Sequence, residues 1–209
     1  MGDDWLARTR ASYDAEAAGY AEVVRDILGG RLPYLNAALD VFAGQVRAAG
    51  GGPVADVGCG PGHVTAHLHG LGVEAFGIDL APGMIEVARS NHPGLRFEVG
   101  SMTELHLPAA SVGGLLAWWS LIHVPDDTVP AVLRQFHRVL RPGGPLQVGF
   151  HVGDPARPVP PGSSGDAPVH RRRAERVAGW LREAGFTVAA QWEFNLDTDR
   201  PGAILFARR

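Results

Sequence analysis

The sequence predicts an α/β fold with a doubly wound, mostly parallel sheet of seven strands, helices on both faces and a helical segment at the N-terminus. After the glycines at 50–52, short apolar segments alternate with segments whose apolar residues recur every three or four positions. Strands and helices that alternate in this way are typical of a parallel sheet covered by helices. Such a sheet binds ligands at the carboxyl ends of its strands, so functional residues are expected there.

Each element follows from this periodicity. Strands are predicted at 54–57, 73–78, 95–99, 112–119, 146–150, 186–194 and 201–207, and helices between them near 64–71, 83–90, 127–140 and 177–184. Residues 11–49 are predicted to be helical, with a break at the glycines 29–30. We expect residues 1–50 to cap the site and residues 51–209 to form the core. The Pro-, Gly- and Ser-rich segment 154–168 is predicted to be a loop and a candidate lid.

Composition excludes several classes of protein. The 209 residues are 45% hydrophobic and 20% charged, with one cysteine and a formal net charge of -3. No apolar run approaches the roughly 18–20 residues that span a bilayer, and the acidic N-terminus does not resemble a secretory signal. The charge balance gives no reason to expect nucleic-acid binding. We therefore expect a cytoplasmic monomer or homodimer without a membrane or nucleic-acid partner.

A glycine-rich turn follows the first predicted strand. Asp56 ends that strand, and Gly58, Gly60 and Gly62 then lead into a helix. Glycines allow a backbone to approach a ligand closely, and the N–H groups that begin the helix suit a carboxylate or phosphate. The spacing Gly-x-Gly-x-Gly differs from the Gly-x-Gly-x-x-Gly of dinucleotide oxidoreductases. A turn without a ligand is the alternative.

A second acid supports a nucleoside site. Asp79 ends the second predicted strand, where a carboxylate accepts hydrogen bonds from both hydroxyls of a ribose. Capping of the next helix is the structural alternative for Asp79. It does not explain the spacing from the glycine turn.

Together these motifs resemble motif I and the ribose-binding acid of class I S-adenosylmethionine (SAM)-dependent methyltransferases. The resemblance covers about residues 53–151, including a Leu-Arg-Pro-Gly-Gly segment before the fifth strand. It implies a Rossmann-like fold, SAM as cofactor and S-adenosylhomocysteine (SAH) as product. The implied cofactor contacts are Asp56, Gly58, Gly60, Gly62, Asp79, Leu80, Met84, Ser101, Met102, Ala117 and Trp118.

Two strand tips leave alternatives open. The family usually has Asp at the position of Ser101, so backbone groups near Met102 are expected to recognise adenine instead; a core position is the alternative for Met102. After the fourth strand, Trp118 and Trp119 are predicted to line the site as an apolar wall, with Trp119 toward the acceptor. Both indoles are equally well explained as core residues.

The resemblance also suggests acceptor-side residues. His123 is the candidate general base, because an unperturbed imidazole titrates near neutrality, and His151 is a second candidate at the tip of strand five. Tyr13 and Tyr20 are seven residues apart, hence on one helical face, and are expected to approach the cofactor or acceptor. Structural roles are the alternative for all four.

Two other patterns are given a structural interpretation. His63, His67 and His69 lie along one predicted helix and its turn, and no nearby Cys or carboxylate completes a ligand set, so no metal site is predicted. The run at 170–173, His-Arg-Arg-Arg, indicates a charged helix surface, with a grip for an acidic acceptor as the alternative.

These observations predict methyl transfer from SAM to an oxygen or nitrogen atom of a small molecule. Proximity and orientation supply most of the catalysis, and a general base assists an acceptor that must lose a proton. The alternatives are a SAM-binding regulatory or partner protein without transferase activity, a nucleotide-dependent oxidoreductase, and a macromolecular methyltransferase.

Overall fold

Seven strands form one sheet in the order β3-β2-β1-β4-β5-β7-β6. A computed structural model of the chain describes residues 4–25, 33–153 and 167–209. The strands β1 to β5 pair in parallel, and β7 runs antiparallel to both of its neighbours. They are β1 Val54–Val57, β2 Ala75–Asp79, β3 Phe97–Val99, β4 Gly114–Trp118, β5 Pro145–His151, β6 Thr187–Phe194 and β7 Gly202–Arg208. The predicted mostly parallel seven-stranded sheet is confirmed.

The helices also follow the predicted pattern. They are α1 Asp4–Arg25, α2 Pro33–Ala48, α3 His63–Gly70, α4 Pro82–Asn91, α5 Val129–Val139 and α6 Ala174–Glu183. A short 3₁₀ helix, Leu121–His123, follows β4 and was not predicted. The predicted break at residues 29–30 and the segment 154–166 lie outside the described residues. No helix within the described ranges is long and apolar enough to cross a bilayer.

Alternate strand residues face opposite helical layers. Ala55 and Val57 of β1 belong to a large buried cluster with residues of α5 and α6, whereas Val54 belongs to a second cluster with residues of α2 and α3. Successive side chains of a strand point to opposite faces, so both faces of a covered sheet are apolar. The helices on both faces are therefore confirmed.

The two N-terminal helices have different neighbours. Helix α2 packs on the sheet, with Leu39 and Phe42 in the cluster around β1 and Leu35 beside Phe206 of β7. Helix α1 packs mainly on α4, where Ala17 and Met84 share a small buried cluster. Because α2 lies on the sheet, the division into a cap and a core at residue 50 stays a prediction.

The charged run at 170–173 precedes α6 and is partly buried. Arg172 has 1% of its surface exposed and donates hydrogen bonds to the carbonyl oxygens of Leu121 and Val124 and, over 2.9 Å, to Asp126. A buried guanidinium needs acceptors, and the turn after β4 supplies them. The prediction of a charged helix surface is therefore wrong for Arg172, whose side chain fixes the 3₁₀ helix that carries His123.

Replacing Arg172 should destabilise the fold. Arg172→Met keeps an apolar stem but leaves buried carbonyl groups unpaired, so the free energy of unfolding should fall by about 3 kcal/mol. Arg176→Met is the matched control, because Arg176 contacts the same Asp126 but its side chain is 59% exposed. The control should cost less than about 1 kcal/mol in urea denaturation. Equal losses in the two variants would contradict this role.

Candidate active site

A cavity of about 920 Å³ opens at the carboxyl ends of the parallel strands, beside α1. Such a volume lies near the upper end of the roughly 300–1,000 Å³ of small-molecule sites. Most of the predicted site residues line it: Tyr13, Tyr20, Asp56, Gly58, Gly60, Asp79, Leu80, Ser101, Met102, Trp118, Trp119, His123 and His151. Gly62, Met84 and Ala117 do not.

The glycine turn brings β1 against the tip of β4. Gly58 has φ +78°, and a Cβ atom there would lie 2.2 Å from Cβ of Ser120. Ser120 in turn donates its hydroxyl to the carbonyl of Val57 over 2.6 Å. Gly60, with φ +54°, has only the ring of Tyr20 near its missing side chain, at 3.9 Å. The first glycine allows close packing, and the second leaves backbone accessible from the cavity.

Asp79 joins the tips of β1 and β2. One carboxylate oxygen accepts the N–H of Gly60 over 2.7 Å, and the other accepts the N–H of Ala81 over 2.9 Å. Burial raises the pKa of Asp79. The hydrogen bonds from the N–H groups of Ala81 and Gly60 lower it and so oppose this shift. A carboxylate oxygen has two lone pairs, so each can accept one further hydrogen bond. This arrangement suits a diol.

Asp56 lies fully buried beneath the turn. Its Oδ2 accepts the hydroxyl of Thr65 over 2.7 Å, while Oδ1 has no partner among the described residues. Burial raises the pKa of Asp56 to about 7. An unpaired buried acceptor is costly, which suggests that a ligand with a donor completes the site.

The predicted contacts that do not line the cavity have packing partners. Met84 is buried beside Tyr13 and Tyr20 between α4 and α1. Ala117 lies in the buried cluster of α5 and α6. A Cβ atom on Gly62 would lie 2.7 Å from the ring of Phe97. These three residues shape the site from behind its wall.

The tip of β3 differs from the family pattern as predicted. The hydroxyl of Ser101 lies 2.7 Å from that of Thr103 and accepts the Thr103 N–H over 3.2 Å. The oxygen of Ser101 is therefore engaged within its own turn. Gly100 and Met102 also line the cavity, and the N–H of Gly100 donates to the carbonyl oxygen of Asp79 over 2.8 Å.

The two tryptophans at the end of β4, Trp118 and Trp119, form part of the cavity wall. Their rings meet edge to face, with centroids 4.8 Å apart. Trp119 has φ +51°, a left-handed conformation that is costly for a bulky residue, by about 1–3 kcal/mol. This conformation places its indole over Gly149, where a Cβ atom would lie 2.6 Å from the ring. Trp119 is thus both packed against the sheet and exposed to the cavity.

His123 and Tyr13 form a hydrogen-bonded pair. The Nδ1 atom of His123 lies 2.8 Å from the carbonyl oxygen of Pro168, which can only accept, so Nδ1 carries the proton. Nε2 then accepts the hydroxyl of Tyr13 over 2.8 Å. Burial lowers the pKa of His123 to about 4, and the positive charge of Arg172 contributes. The imidazole is therefore neutral near pH 7, with its lone pair directed at Tyr13.

His151 occupies the tip of β5, beyond His123. The indole N–H of Trp119 lies 3.4 Å from its Nδ1 atom and donates to it. The pKa of His151 is lowered to about 4, mainly by burial. The positive charge of Arg171 and, more weakly, that of Arg200 also lower it. If Nδ1 accepts from Trp119, the proton of the neutral ring lies on Nε2, which makes His151 a donor toward a ligand.

Several residues of the cavity wall were not predicted. Arg171 belongs to the run interpreted as surface, and Arg200, Phe194 and Asn195 lie at the junction of β6 and β7. The alternative interpretation of that run, binding of an acidic acceptor, could have identified Arg171 as a residue of the site. Ser120, His63 and Cys59 adjoin predicted residues, but their types carry no specific signal.

Known proteins resemble this chain in sequence. The family described as "Methyltransferase domain" matches residues 54–144. A ubiquinone biosynthesis O-methyltransferase of Xanthomonas axonopodis pv. citri is 31% identical over 176 residues, covering 74% of this chain and 67% of the relative. A malonyl-[acyl-carrier protein] O-methyltransferase of Serratia marcescens is 32% identical over 139 residues, covering 66% of this chain. The chain spans 48% of the length of the Serratia enzyme. It spans 61% and 46% of the length of two further O-methyltransferase relatives.

Solved structures share the fold at lower identity. A 1,6-didemethyltoxoflavin-N1-methyltransferase of Burkholderia thailandensis, determined with SAH, superposes with a TM-score of 0.73 at 20% identity. The match covers 100% of this chain and 90% of that one. At this identity the likeness establishes the architecture, including the N-terminal helices.

The buried carboxyl of Asp56 should make stability depend on pH. Its folded pKa of about 7 lies above the unfolded value of 3.8, so the native state is stabilised below pH 4 and loses this stability as the pH rises to about 7. Relative to Asp56→Asn, the ligand-free protein should lose about 4 kcal/mol over that range, at 1.36 kcal/mol per pKa unit.

Urea denaturation of both proteins at several pH values measures this difference. Asp40→Asn, which changes an exposed carboxylate of α2, is the matched control and should follow the wild type. If the free energy of unfolding changes with pH in the same way for the wild type and Asp56→Asn, burial does not raise the pKa of Asp56.

Proposed function

The chain belongs to the class I SAM-dependent methyltransferase family, as predicted, and we propose that it transfers the methyl group of SAM to an oxygen or nitrogen atom of a small-molecule acceptor. One observation carries this proposal. A single cavity joins the glycine turn and Asp79 to the pair formed by Tyr13 and His123. The names of both sequence relatives specify O-methylation, which supports an oxygen acceptor.

The residues present fit SAM. Asp79 has an open acceptor position on each oxygen for the ribose hydroxyls, and the backbone at Gly60 is accessible from the cavity. Asp56 borders the cavity with its carboxyl fully buried beneath the glycine turn, so it supports the turn where the methionine part would lie. Tyr20 covers the glycine turn, and its phenol stays protonated because burial and the charge of Asp79 raise its pKa.

The acceptor side supplies orientation and a route for one proton. When bound, SAM provides a methyl group already activated by the sulfonium, so the protein needs no covalent catalysis. The indoles of Trp118 and Trp119 exclude water and orient the acceptor. Helix α1 contributes Tyr13 and covers the site as a cap. Holding the reactants in line supplies much of the rate enhancement, about 7–11 kcal/mol in favourable systems.

The proton passes through Tyr13 rather than directly to His123. Because the Tyr13 hydroxyl occupies Nε2 of His123, an acceptor hydroxyl meets the phenol first. As the acceptor proton moves to the Tyr13 oxygen, the Tyr13 proton moves to Nε2, which leaves one imidazolium. The carbonyl of Pro168 holds the ring in the required tautomer. His151 donates a hydrogen bond to the acceptor.

Calorimetric titration with SAM and SAH tests the cofactor site. Asp79→Asn replaces one acceptor oxygen with a donor, so the dissociation constants should rise by about 10- to 100-fold, as for a lost charged hydrogen bond. Asp14→Asn is the matched control, because Asp14 accepts the N–H of Gly83 over 2.7 Å yet does not line the cavity. It should change affinity by less than about twofold.

Two results of this experiment would contradict the proposal. Failure of the wild type to bind SAM or SAH would remove the methyltransferase function. Binding by the wild type without labelled methyl transfer to extracts of the source organism would instead indicate a regulatory or partner protein.

Removal of the Tyr13 hydroxyl should slow turnover more than binding. With a hydroxyl acceptor, Tyr13→Phe and His123→Ala should each lower kcat about 100-fold and leave SAM affinity unchanged, as expected for a lost proton acceptor. Tyr34→Phe is the control: it loses a 2.9 Å bond to Asn195, and Tyr34 does not line the cavity.

The pH profile of kcat distinguishes this route from an ordinary histidine base. With the pKa of His123 at about 4, protonation of the imidazole should reduce the rate only near pH 4. A decline centred near the unperturbed histidine value of about 6.5 would indicate an ordinary histidine base and would contradict this route. The double variant Tyr13→Phe/His123→Ala should lose no more activity than either single variant, because both residues serve one proton; additive losses would contradict a shared route.

A further inference from the structure

The cavity ends in a group of basic residues at the tip of β5. Arg171 donates from Nη2 to the carbonyl oxygen of Asp199 over 3.0 Å, while its buried Nε atom has no partner. Among the described residues, neither Arg171 nor Arg200 forms an ion pair with a carboxylate. We call Arg171, Arg200 and His151 the basic end of the cavity.

The carboxylates of the cavity lie at the other end. Asp56 and Asp79 are the acidic residues among those that line it in the described part of the chain, and they end β1 and β2. In the sheet order, β5 is three positions from β2, which corresponds to about 14 Å at 4.8 Å per strand. The basic end is therefore separated from the ribose-binding acid by the width of a small molecule.

The wall beside the basic end is aromatic. Trp119 packs with its ring centroid 6.2 Å from that of His151 and 6.1 Å from that of Phe194. Aromatic faces of this kind bind planar or apolar groups. An acceptor that reaches from the basic end toward Tyr13 must pass along this wall.

We infer that the methyl acceptor is an anion, whose carboxylate or phosphate binds Arg171 and Arg200 and whose planar or apolar body lies against Trp119. This inference rests on the proposed function, because it places the acceptor in the same cavity. A guanidinium presents a planar fork of donors, which matches two oxygen atoms of a carboxylate or phosphate. Nη1 of Arg171 and the second N–H of its Nη2 retain donors for such a fork.

The anchor also explains how the acceptor is oriented. A charge held at the tip of β5 leaves the opposite end of the acceptor facing Tyr13 and the cofactor side. The site then selects acceptors by the distance between their anionic group and their nucleophilic atom. Specificity arises because a neutral analogue leaves the basic end unpaired.

The test uses probes in matched pairs. Benzoate, phenylacetate and 3-phenylpropanoate, each with its neutral amide, are titrated calorimetrically into the protein saturated with SAH, and phenyl phosphate is titrated alongside. We expect at least one anion to bind more than about tenfold more tightly than its neutral partner. Tighter binding of phenyl phosphate identifies a phosphate-bearing acceptor, and tighter binding of a carboxylate identifies an organic acid.

Variants assign the effect to Arg171. Arg171→Gln should raise the dissociation constant of the preferred anion by about 10- to 100-fold and that of its amide by less than about twofold. Arg171→Lys should retain part of the affinity for the anion. Arg173→Gln is the matched control, because Arg173 belongs to the same run but is exposed and does not line the cavity. It should leave both affinities unchanged.

Three outcomes overturn the inference. The first is that no anion binds more tightly than its amide, and the second is that Arg171→Gln weakens the binding of anion and amide equally. The third is that Arg173→Gln weakens anion binding as much as Arg171→Gln does. A protein that does not bind SAH refutes the proposed function separately. In that case the same titrations without SAH still report on Arg171.

Discussion

The site depends on one buried carboxylate. Asp79 holds the N–H of Gly60 with one oxygen and the N–H of Ala81 with the other, so it fixes the glycine turn of β1 to the beginning of α4. The same side chain lines the cavity. Structure and binding therefore share one group, and the conformation of the turn is set before a ligand arrives. Preorganisation of this kind lowers the cost of binding.

The parts of the site that the sequence predicts are those encoded in consecutive residues. The turn at Gly58 and Gly60 and the acid at Asp79 follow buried strands, and a parallel sheet brings strand ends to one edge whatever its exact packing. Strand and helix positions follow in the same way from apolar periodicity. The family prediction succeeded because its motifs are local and occur in order along the chain.

The parts that the sequence did not predict depend on contacts between distant segments. Arg172 is buried because carbonyl groups about fifty residues earlier in the chain accept its hydrogen bonds, and a run of arginines gives no sign of this. Met84 shares its motif position with residues that contact a cofactor, yet α1 packs over it. Trp119 takes a left-handed conformation that no propensity favours. In each case tertiary packing decides an arrangement that the local pattern does not determine.

The distribution of charge along the cavity follows from the same packing. Buried charges are costly unless they are paired, and both ends of this cavity hold polar groups whose pairing is incomplete: Oδ1 of Asp56 at one end and Nε of Arg171 at the other. Between them, His123 is neutral near pH 7 and the tryptophans carry no charge. A ligand gains electrostatic energy at the ends and little in the middle, so the ends set its position. The neutral imidazole and indoles then exert no net charge that would pull the reacting atoms out of line.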